Sequence, residues 1–175
     1  MPNDYESGLR KVIPAVLIYA ERDEQWLMLH RMGSDTSSNL NDYHFGKWNG
    51  LGGKLEVNES PLDAAIREFH EEAGLKLSAT HFKPLGTLQF PNFKAHKQED
   101  WVVFVFTVDV PPEKDPKDEC AEGKLSWVPK NKVLDLNLWE GDRHFIPFVL
   151  RRKPFMGTIW YHERQVSKVW IEPVG

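Results

Sequence analysis

Three glutamates, Glu68, Glu71 and Glu72, have the spacing that brings carboxylates together on one side of a helix. At about 100° per residue they fall within an arc of roughly 100°, and the apolar side chains of the same segment are centred roughly 120° away. Like charges at this spacing destabilise a helix by about 0.2–0.5 kcal/mol per pair, and the helix dipole disfavours anions in a last turn. A hard divalent cation would relieve the repulsion, because Mg²⁺ prefers oxygen ligands and often shares them with phosphates. A solvated acidic face is the alternative interpretation of the carboxylates alone.

A glycine-rich segment, 48–54 (WNGLGGK), precedes these glutamates. Its three glycines in four positions let the backbone approach a ligand closely, so it can offer amides to a phosphate or a carbonyl to a metal. A plain turn is the alternative. Arg67 lies beside the carboxylates, and a pair with Glu59 would fix the loop to the helix. A glycine loop that leads into three aligned carboxylates is a more specific signal than either feature alone.

The helix that must carry the carboxylates is predicted over Pro61–Ala73. Ser60 is a suitable N-cap, Pro61 occupies the first helical position, and Gly74 follows the last turn. One face of this helix is apolar. Its members are Leu62, Ala65, Ile66, Phe69 and Ala73.

The rest of the chain indicates a mixed sheet. Strands are predicted at 11–20, 25–31, 82–90, 101–110, 124–128, 157–161 and 166–171, and a second helix at 142–152. Pro14 suggests that the first strand lies at an edge or contains a bulge. Residues 32–46 form a polar loop longer than the usual connection. Because strands outnumber helices without regular alternation, the expected fold class is α+β around a partly antiparallel sheet.

Composition limits the classes of function. The 175 residues predict one domain spanning 1–175. The net charge of −4 argues against a nucleic-acid polymer as partner, but it allows a small anionic substrate if a metal supplies positive charge. Cys120 is the single cysteine, which excludes a disulfide framework and a Cys-rich zinc site. Residues 1–10 lack a signal-peptide core and no apolar stretch is long enough to span a bilayer, so we expect a cytoplasmic protein without a membrane partner. The oligomeric state stays open.

The segment 53–75 (GKLEVNESPLDAAIREFHEEAGL) resembles the signature of the Nudix hydrolases, G-x5-E-x7-R-E-U-x-E-E-x-G-U, where U is apolar. Phe69 and Leu75 fill the apolar positions, and the order of the flanking strands is similar to the α/β/α sandwich of that family. Every fixed position of the signature is present: Gly53, Glu59, Arg67, Glu68, Glu71, Glu72 and Gly74.

The resemblance implies hydrolysis of a nucleoside diphosphate linked to another moiety, with Mg²⁺ or Mn²⁺ as cofactor. It implies that Glu68, Glu71 and Glu72 bind the metal with help from the Gly53 carbonyl. Arg67 and Glu59 would hold the loop against the helix. Glu71 or Glu72 would accept the proton of the attacking water, and the sequence does not decide between them. A carboxylate outside the signature often completes such a site, and Glu122 is the candidate here.

The flanking segments resemble the MutT-type branch, and within it the animal-type 8-oxo-dGTP diphosphatases. On this resemblance Asn49 reads the purine edge, and Gly52 and Lys54 contact the substrate in the same loop. The segment 139–147 (WEGDRHFIP) matches the branch in its Trp, an acid, a further aromatic and a Pro. The resemblance implies a base pocket in which Trp139 stacks on the base and Asp142 hydrogen-bonds to its edge. Phe145 would form one wall of this pocket, and Phe90 would be a further aromatic residue in it.

One departure bears on the substrate. Gly141 stands where the branch has the first of two adjacent acids that help recognise oxidised purines. The expected activity is therefore a nucleoside triphosphate pyrophosphohydrolase that releases NMP and pyrophosphate from purine dNTPs, dGTP or 8-oxo-dGTP. A dinucleoside, NDP-sugar or ADP-ribose pyrophosphatase is the alternative hydrolase. A non-catalytic nucleotide-sensing domain is the alternative of another class, although the intact carboxylates argue against it.

Overall fold

The structure, a computed structural model, describes residues 3–32 and 44–175. Much of the predicted polar loop 32–46 therefore lies outside the described residues. Two α-helices are present in these ranges, α1 (Pro61–Ala73) and α2 (Asp142–Leu150). The strands are β1 (Lys11–Arg22), β2 (Gln25–Arg31), β3 (Trp48–Asn49), β4 (Leu51–Lys54), β5 (Phe82–Lys94), β6 (Glu99–Asp109), β7 (Glu119–Cys120), β8 (Gly123–Pro129), β9 (Phe155–His162) and β10 (Gln165–Pro173). Short 3₁₀ helices span Ala79–His81, Ala95–Lys97 and Lys130–Asp135.

The strands form one mixed sheet in the order β10-β9-β5-β6-β1-β2-β8-β7, with β3 paired to β2 and β4 paired to β1. Two pairings are parallel, β1 with β6 and β5 with β9, and the others are antiparallel. One helix packs on each face. The predicted α+β fold with an α/β/α sandwich and a partly antiparallel sheet is confirmed. Neither described helix has the length and apolar character needed to cross a bilayer.

The central strand β1 is buried on both faces, which explains its nearly continuous apolar sequence. Val16, Ile18 and Ala20 face the layer formed by α1. Ala15 and Tyr19 face the layer formed by α2. The core therefore has two parts, one on each side of the sheet, and β1 contributes side chains to both of them.

The β1–β2 hairpin forks away from its turn, and this fork creates the space for a site. Near the turn, β1 pairs with β2 from Ala20 to Arg22. Further along, β1 pairs instead with β4 at Ala15 to Ile18, while β2 pairs with β3 at Leu29 and His30. Segment 48–54, expected to be a loop, thus forms two short strands that bridge the fork.

Local signals fix the bounds of α1. The Ser60 hydroxyl accepts from the Asp63 amide at 3.1 Å, and the Asp63 carboxylate accepts from the Ser60 amide at 3.1 Å. Gly74 ends the helix with φ 74°, a left-handed conformation that glycine adopts readily. α2 ends two residues earlier than expected, at Leu150, and Arg152 has φ 48°. A residue in that conformation cannot continue a right-handed helix.

Candidate active site

One cavity of about 760 Å³ opens where the sheet forks, between α1 and the start of α2. Glu59 lies outside its lining, behind Arg67. The other residues that the sequence assigned to a site all line this cavity: Asn49, Gly52, Gly53, Lys54, Arg67, Glu68, Glu71, Glu72, Phe90, Glu122, Trp139, Asp142 and Phe145. The structure therefore brings a carboxylate group and an aromatic group, which are far apart in sequence, to the same space.

Arg67 organises the carboxylate end of the cavity. Its Nε and Nη2 donate to the two oxygens of Glu59 at 2.6 and 2.9 Å, which confirms the predicted pair. Its Nη1 donates to Glu68 at 2.7 Å and to Glu71 at 3.4 Å, and Nη2 also reaches the Lys54 carbonyl at 3.0 Å. The guanidinium holds the pKa of Glu59 at about 2, well below its usual range. This planar fork fixes the glycine loop to the helix and separates two of the glutamates.

Glu72 is the unexpected member of the acidic face, because it is only 6% exposed. Its carboxylate accepts from the Gly52 amide at 2.8 Å, so α1 and β4 are joined at this point. Burial raises the pKa of Glu72 to about 8, and the charges of Glu122 and Glu68 act in the same direction. The site thus holds a buried carboxyl group that belongs to no ion pair among residues 3–32 and 44–175, and whose raised pKa favours its protonated form near neutral pH.

Gly53 lies directly against the Glu68 carboxylate, and a Cβ at this position would overlap it. Burial raises the pKa of Glu68, although Arg67 opposes the shift. The absence of a side chain at Gly53 leaves its backbone beside the carboxylate. A side chain at position 53 would require the Glu68 carboxylate to move from its hydrogen bond with Arg67.

Glu122 lies in the turn between β7 and β8 and forms an ion pair with Arg31 at the end of β2. In the described ranges no three His, Cys, Asp or Glu side chains converge as a ready metal cage. One oxygen of each of Glu68, Glu71 and Glu72 accepts from Arg67 or from the Gly52 amide. The donors available at this end are carboxylate and carbonyl oxygens, which suit Mg²⁺ or Mn²⁺ rather than a softer metal.

The opposite end of the cavity is aromatic. Trp139 and Asn49 are half-buried, so both keep faces toward the cavity. Lys47 Nζ lies 5.2 Å from the centre of the Trp139 ring and donates to the Asn137 side chain at 3.0 Å. Phe145 is fully buried and packs against Tyr19, with ring centres 6.3 Å apart. Phe145 is thus a core residue whose edge closes the cavity.

Asp142 begins α2 and is partly buried at this aromatic end. Burial raises its pKa from an ordinary 3.8 to about 7, and the charges of Lys47 and Arg143 only partly offset this. Asp142 in turn contributes to the raised pKa of Tyr19 and of Tyr161, for which burial is the larger cause. Near neutral pH this corner therefore presents groups that can donate protons as well as accept them.

Asp142→Asn is expected to stabilise the protein above neutral pH. The folded state keeps the Asp142 proton between about pH 4 and pH 7, where the unfolded chain loses it, so stability falls as pH rises through this window. At pH 8 the variant should gain about 2 kcal/mol, less than the full shift because the side chain retains contact with water. At pH 4 the two proteins should be equally stable. Urea denaturation at both pH values measures this, and an equal effect at both would contradict the raised pKa.

Gly141 precedes Asp142 and its space is taken by a tyrosine. The Gly141 amide donates to the Tyr161 hydroxyl at 2.8 Å, and a Cβ on Gly141 would overlap that hydroxyl. An acidic side chain is therefore excluded at this position unless Tyr161 moves. Tyr161 on β9 thus accounts for the glycine at position 141, where the related branch has an acid.

The cavity lining also includes residues that the sequence did not single out, among them Arg31, Phe93, Lys94 and Trp101. Three of them lie at the β5–β6 end, where Phe90 pairs with Trp101 and Lys94 pairs with Glu99. No motif connects these positions along the chain. These residues could have been identified only by combining the register of β5 and β6 with the assignment of Phe90 to the base pocket.

Comparison with known proteins agrees with this geometry. The NUDIX domain model matches residues 9–149. The chain is 33% identical over 121 residues to the oxidized purine nucleoside triphosphate hydrolase of Danio rerio, covering 69% of this chain and 74% of the relative. It is 32% identical over 117 residues to the uncharacterized Nudix hydrolase YvcI of Bacillus subtilis, covering 66% and 73%.

The fold is also similar to that of a solved structure, the MutT protein from Bacillus halodurans. The TM-score is 0.76 at 24% identity, and the match covers 91% of this chain and 97% of that one. The family model covers most of the chain and its signature residues converge on one cavity. The chain therefore belongs to the Nudix family of hydrolases.

Proposed function

We propose that this enzyme is a Mg²⁺- or Mn²⁺-dependent nucleoside triphosphate pyrophosphohydrolase that acts on purine dNTPs and releases NMP and pyrophosphate. The observation that carries the proposal is the single cavity with oxygen ligands at one end and aromatic and amide groups at the other. A nucleotide has the same division, with phosphates at one end and a flat base at the other. The activity named for the Danio rerio relative supports this substrate class. We further propose that the enzyme acts in the cytoplasm, as its single cysteine suggests.

The carboxylate end would perform the hydrolysis. Glu68, Glu71 and Glu72, with the Gly53 carbonyl, would hold the metal, and Glu122 would add a fifth oxygen ligand. When bound, the divalent cation neutralises phosphate oxygens and lowers the pKa of an attacking water. Glu71 or Glu72 accepts the proton of that water. Arg67 keeps Glu68 and Glu71 oriented through its hydrogen bonds to both.

The aromatic end would bind the base. Trp139 offers a ring for stacking, and Asn49 offers both a donor and an acceptor to a purine edge. Asp142 can donate when protonated, which its raised pKa of about 7 allows near neutral pH. Phe90 lies on the facing strand, 6.4 Å from Tyr161 between ring centres. Gly52 and Lys54 would contact the phosphates.

The preference between normal and oxidised purine follows from Gly141. With Tyr161 in the space of a second acid, one carboxyl group remains to read the base. We therefore expect the kcat/KM values for 8-oxo-dGTP and dGTP to differ by less than about tenfold, or ~1.4 kcal/mol. A larger ratio in favour of 8-oxo-dGTP would assign the enzyme to the removal of oxidised nucleotides.

A substrate panel with Mg²⁺ tests the proposal. The panel compares dGTP, 8-oxo-dGTP, ATP, ADP-ribose and NDP-sugars by kcat/KM, and the products from dGTP are identified. We expect dGMP and pyrophosphate from dGTP. Orthophosphate as the sole product would contradict the proposal, and higher kcat/KM for ADP-ribose or NDP-sugars would favour the alternative hydrolase. No metal-dependent turnover of any of these would favour a nucleotide-sensing domain.

A further inference from the structure

Two lysines converge on one aromatic ring inside the cavity. Lys54 Nζ lies 5.4 Å from the centre of the Trp101 ring, and Lys94 Nζ lies 4.8 Å from it. We call Lys54 and Lys94 the lysine pair. The Trp101 indole is itself oriented, because its Nε1 donates to Glu99 at 3.2 Å. The pair comes from different parts of the fold, one lysine from β4 and the other from β5.

The lysine pair lacks a carboxylate partner in the described part of the chain, where neither ammonium belongs to an ion pair. Glu99 lies opposite Lys94 in the strand pair, but its carboxylate accepts from the indole. Burial lowers the pKa of Lys94, and the charges of Lys54 and Lys97 add to this effect. The charge of Glu99 opposes this shift only in part, so the two positive charges beside Trp101 favour the binding of an anion near them.

The segment that carries Lys94 is braced rather than loose. Asp100, which is 3% exposed, accepts from Arg10 Nη2 at 2.6 Å, from the Asn92 amide at 2.5 Å and from the Tyr5 hydroxyl. Arg10 Nη2 also donates to the Asn92 side chain at 3.1 Å. This network ties the N-terminal segment to the β5–β6 connection. The network thus fixes Asn92 and Asp100, which flank the connection that carries Lys94.

The lysine pair is connected to the carboxylate end of the same cavity. Lys54 follows Gly53 directly, and its carbonyl accepts from Arg67 Nη2 at 3.0 Å. Both lysines line the cavity together with Glu68, Glu71 and Glu72. A polyphosphate that reaches the carboxylate end can therefore extend from there toward Trp101.

We propose that the lysine pair binds the terminal phosphate of a nucleoside triphosphate, the group that leaves as part of pyrophosphate. This inference rests on the proposed function and adds to it a residue, Lys94, that sets the length of the phosphate chain. A terminal phosphate carries nearly two negative charges at neutral pH, which two ammonium groups match. On this proposal a nucleoside diphosphate lacks the group that contacts the pair, so its binding should not depend on Lys94.

The first test compares phosphate-chain lengths in Lys94→Met. We expect the KM for dGTP to rise about tenfold, since charge-assisted hydrogen bonds are lost, while the KM or inhibition constant of dGDP changes less than about twofold. Lys94→Arg should restore most of the dGTP affinity. Lys97→Met is the matched control, because it removes an exposed lysine from the adjoining 3₁₀ helix, and it should change neither value. Equal losses for dGTP and dGDP in Lys94→Met would overturn the inference.

The second test does not depend on turnover. Calorimetry with inorganic tripolyphosphate, which has the phosphate chain but no base, should show binding to the unmodified enzyme and to Lys97→Met, and about tenfold weaker binding to Lys94→Met. Equal binding to all three proteins, or no binding to the unmodified enzyme, would overturn the role of the lysine pair. Failure of the proposed function has a different signature, which is no hydrolysis of any triphosphate by the unmodified enzyme.

Discussion

Glu72→Gln is expected to lower kcat by about a thousandfold while the protein remains folded. Glutamine keeps the shape of the side chain and can still accept from the Gly52 amide, so the contact between α1 and β4 persists. What it loses is the negative charge needed to hold a divalent cation and the ability to accept a proton. Steady-state kinetics at saturating Mg²⁺ measures the loss, and thermal unfolding verifies the fold.

Glu71→Gln should lose kcat to a similar degree, although Glu71 is exposed and contributes little to packing. Glu113→Gln is a suitable control, because it changes the same residue type in an exposed position outside the cavity lining. Full turnover by the Glu71 and Glu72 variants at saturating Mg²⁺ would show that the acidic face of α1 is not the catalytic site. An unfolded Glu72 variant would leave the Glu71 variant to decide the question.

Arg67→Lys is expected to lower kcat/KM by about a hundredfold and the Tm by several degrees. Lysine keeps the charge but cannot form the planar fork that donates to Glu59, Glu68, Glu71 and the Lys54 carbonyl. Glu68 and Glu71 would then lose their fixed orientation, and the loop would lose its attachment to the helix. Arg151→Lys, an exposed arginine outside the cavity lining, is the control for the substitution itself.

Acid unfolding provides a second measurement of the same pair. The pKa of Glu59 is lowered to about 2 from an ordinary 4.5, so its contribution to stability is complete above that ordinary value and is lost as pH falls toward 2. Arg67→Lys should weaken this dependence, and Glu59→Gln should abolish it. If Arg67→Lys and Glu59→Gln had fully additive effects on Tm, the two side chains would not act as a unit.

The sequence predicted α1 to the residue because all of its signals are local. Ser60, Pro61, Asp63 and Gly74 each act on the backbone within one turn of the helix ends. The positions of β3 and β4 were not predicted, since strands of two and four residues that contain glycine have little intrinsic preference and depend on distant partners. The same holds for β7, which has two residues and pairs only with β8.

The first strand shows how a correct local signal can mislead about position in the sheet. Pro14 suggested an edge or a bulge, yet β1 lies between β6 and β2 in the centre of the sheet. Its antiparallel partner β4 begins to pair only at Ala15, so Pro14 itself lies where β1 has one strand neighbour, β6. The missing amide hydrogen is thus tolerated in a central strand.

The carboxylate end of the site was predictable and the lysine pair was not, for a related reason. The signature residues all lie within 53–75, and helix periodicity fixes the relative directions of those on α1. Lys94 and Trp101 reach the cavity through the register of β5 and β6, which sequence spacing does not encode. Tyr161 was missed in the same way, because its contact with Gly141 joins β9 to the start of α2.

The forked hairpin has a consequence for how such an enzyme can diversify. β4 carries Gly53 on the β1 arm, and β3 carries Asn49 on the β2 arm, so under the proposed function bond cleavage and base selection would be attached to different arms. Mutations along one arm can then alter which nucleotide is chosen without disturbing the machinery that splits it. This modularity gives descendants of the scaffold a route to new specificities that retains the ancestral chemistry.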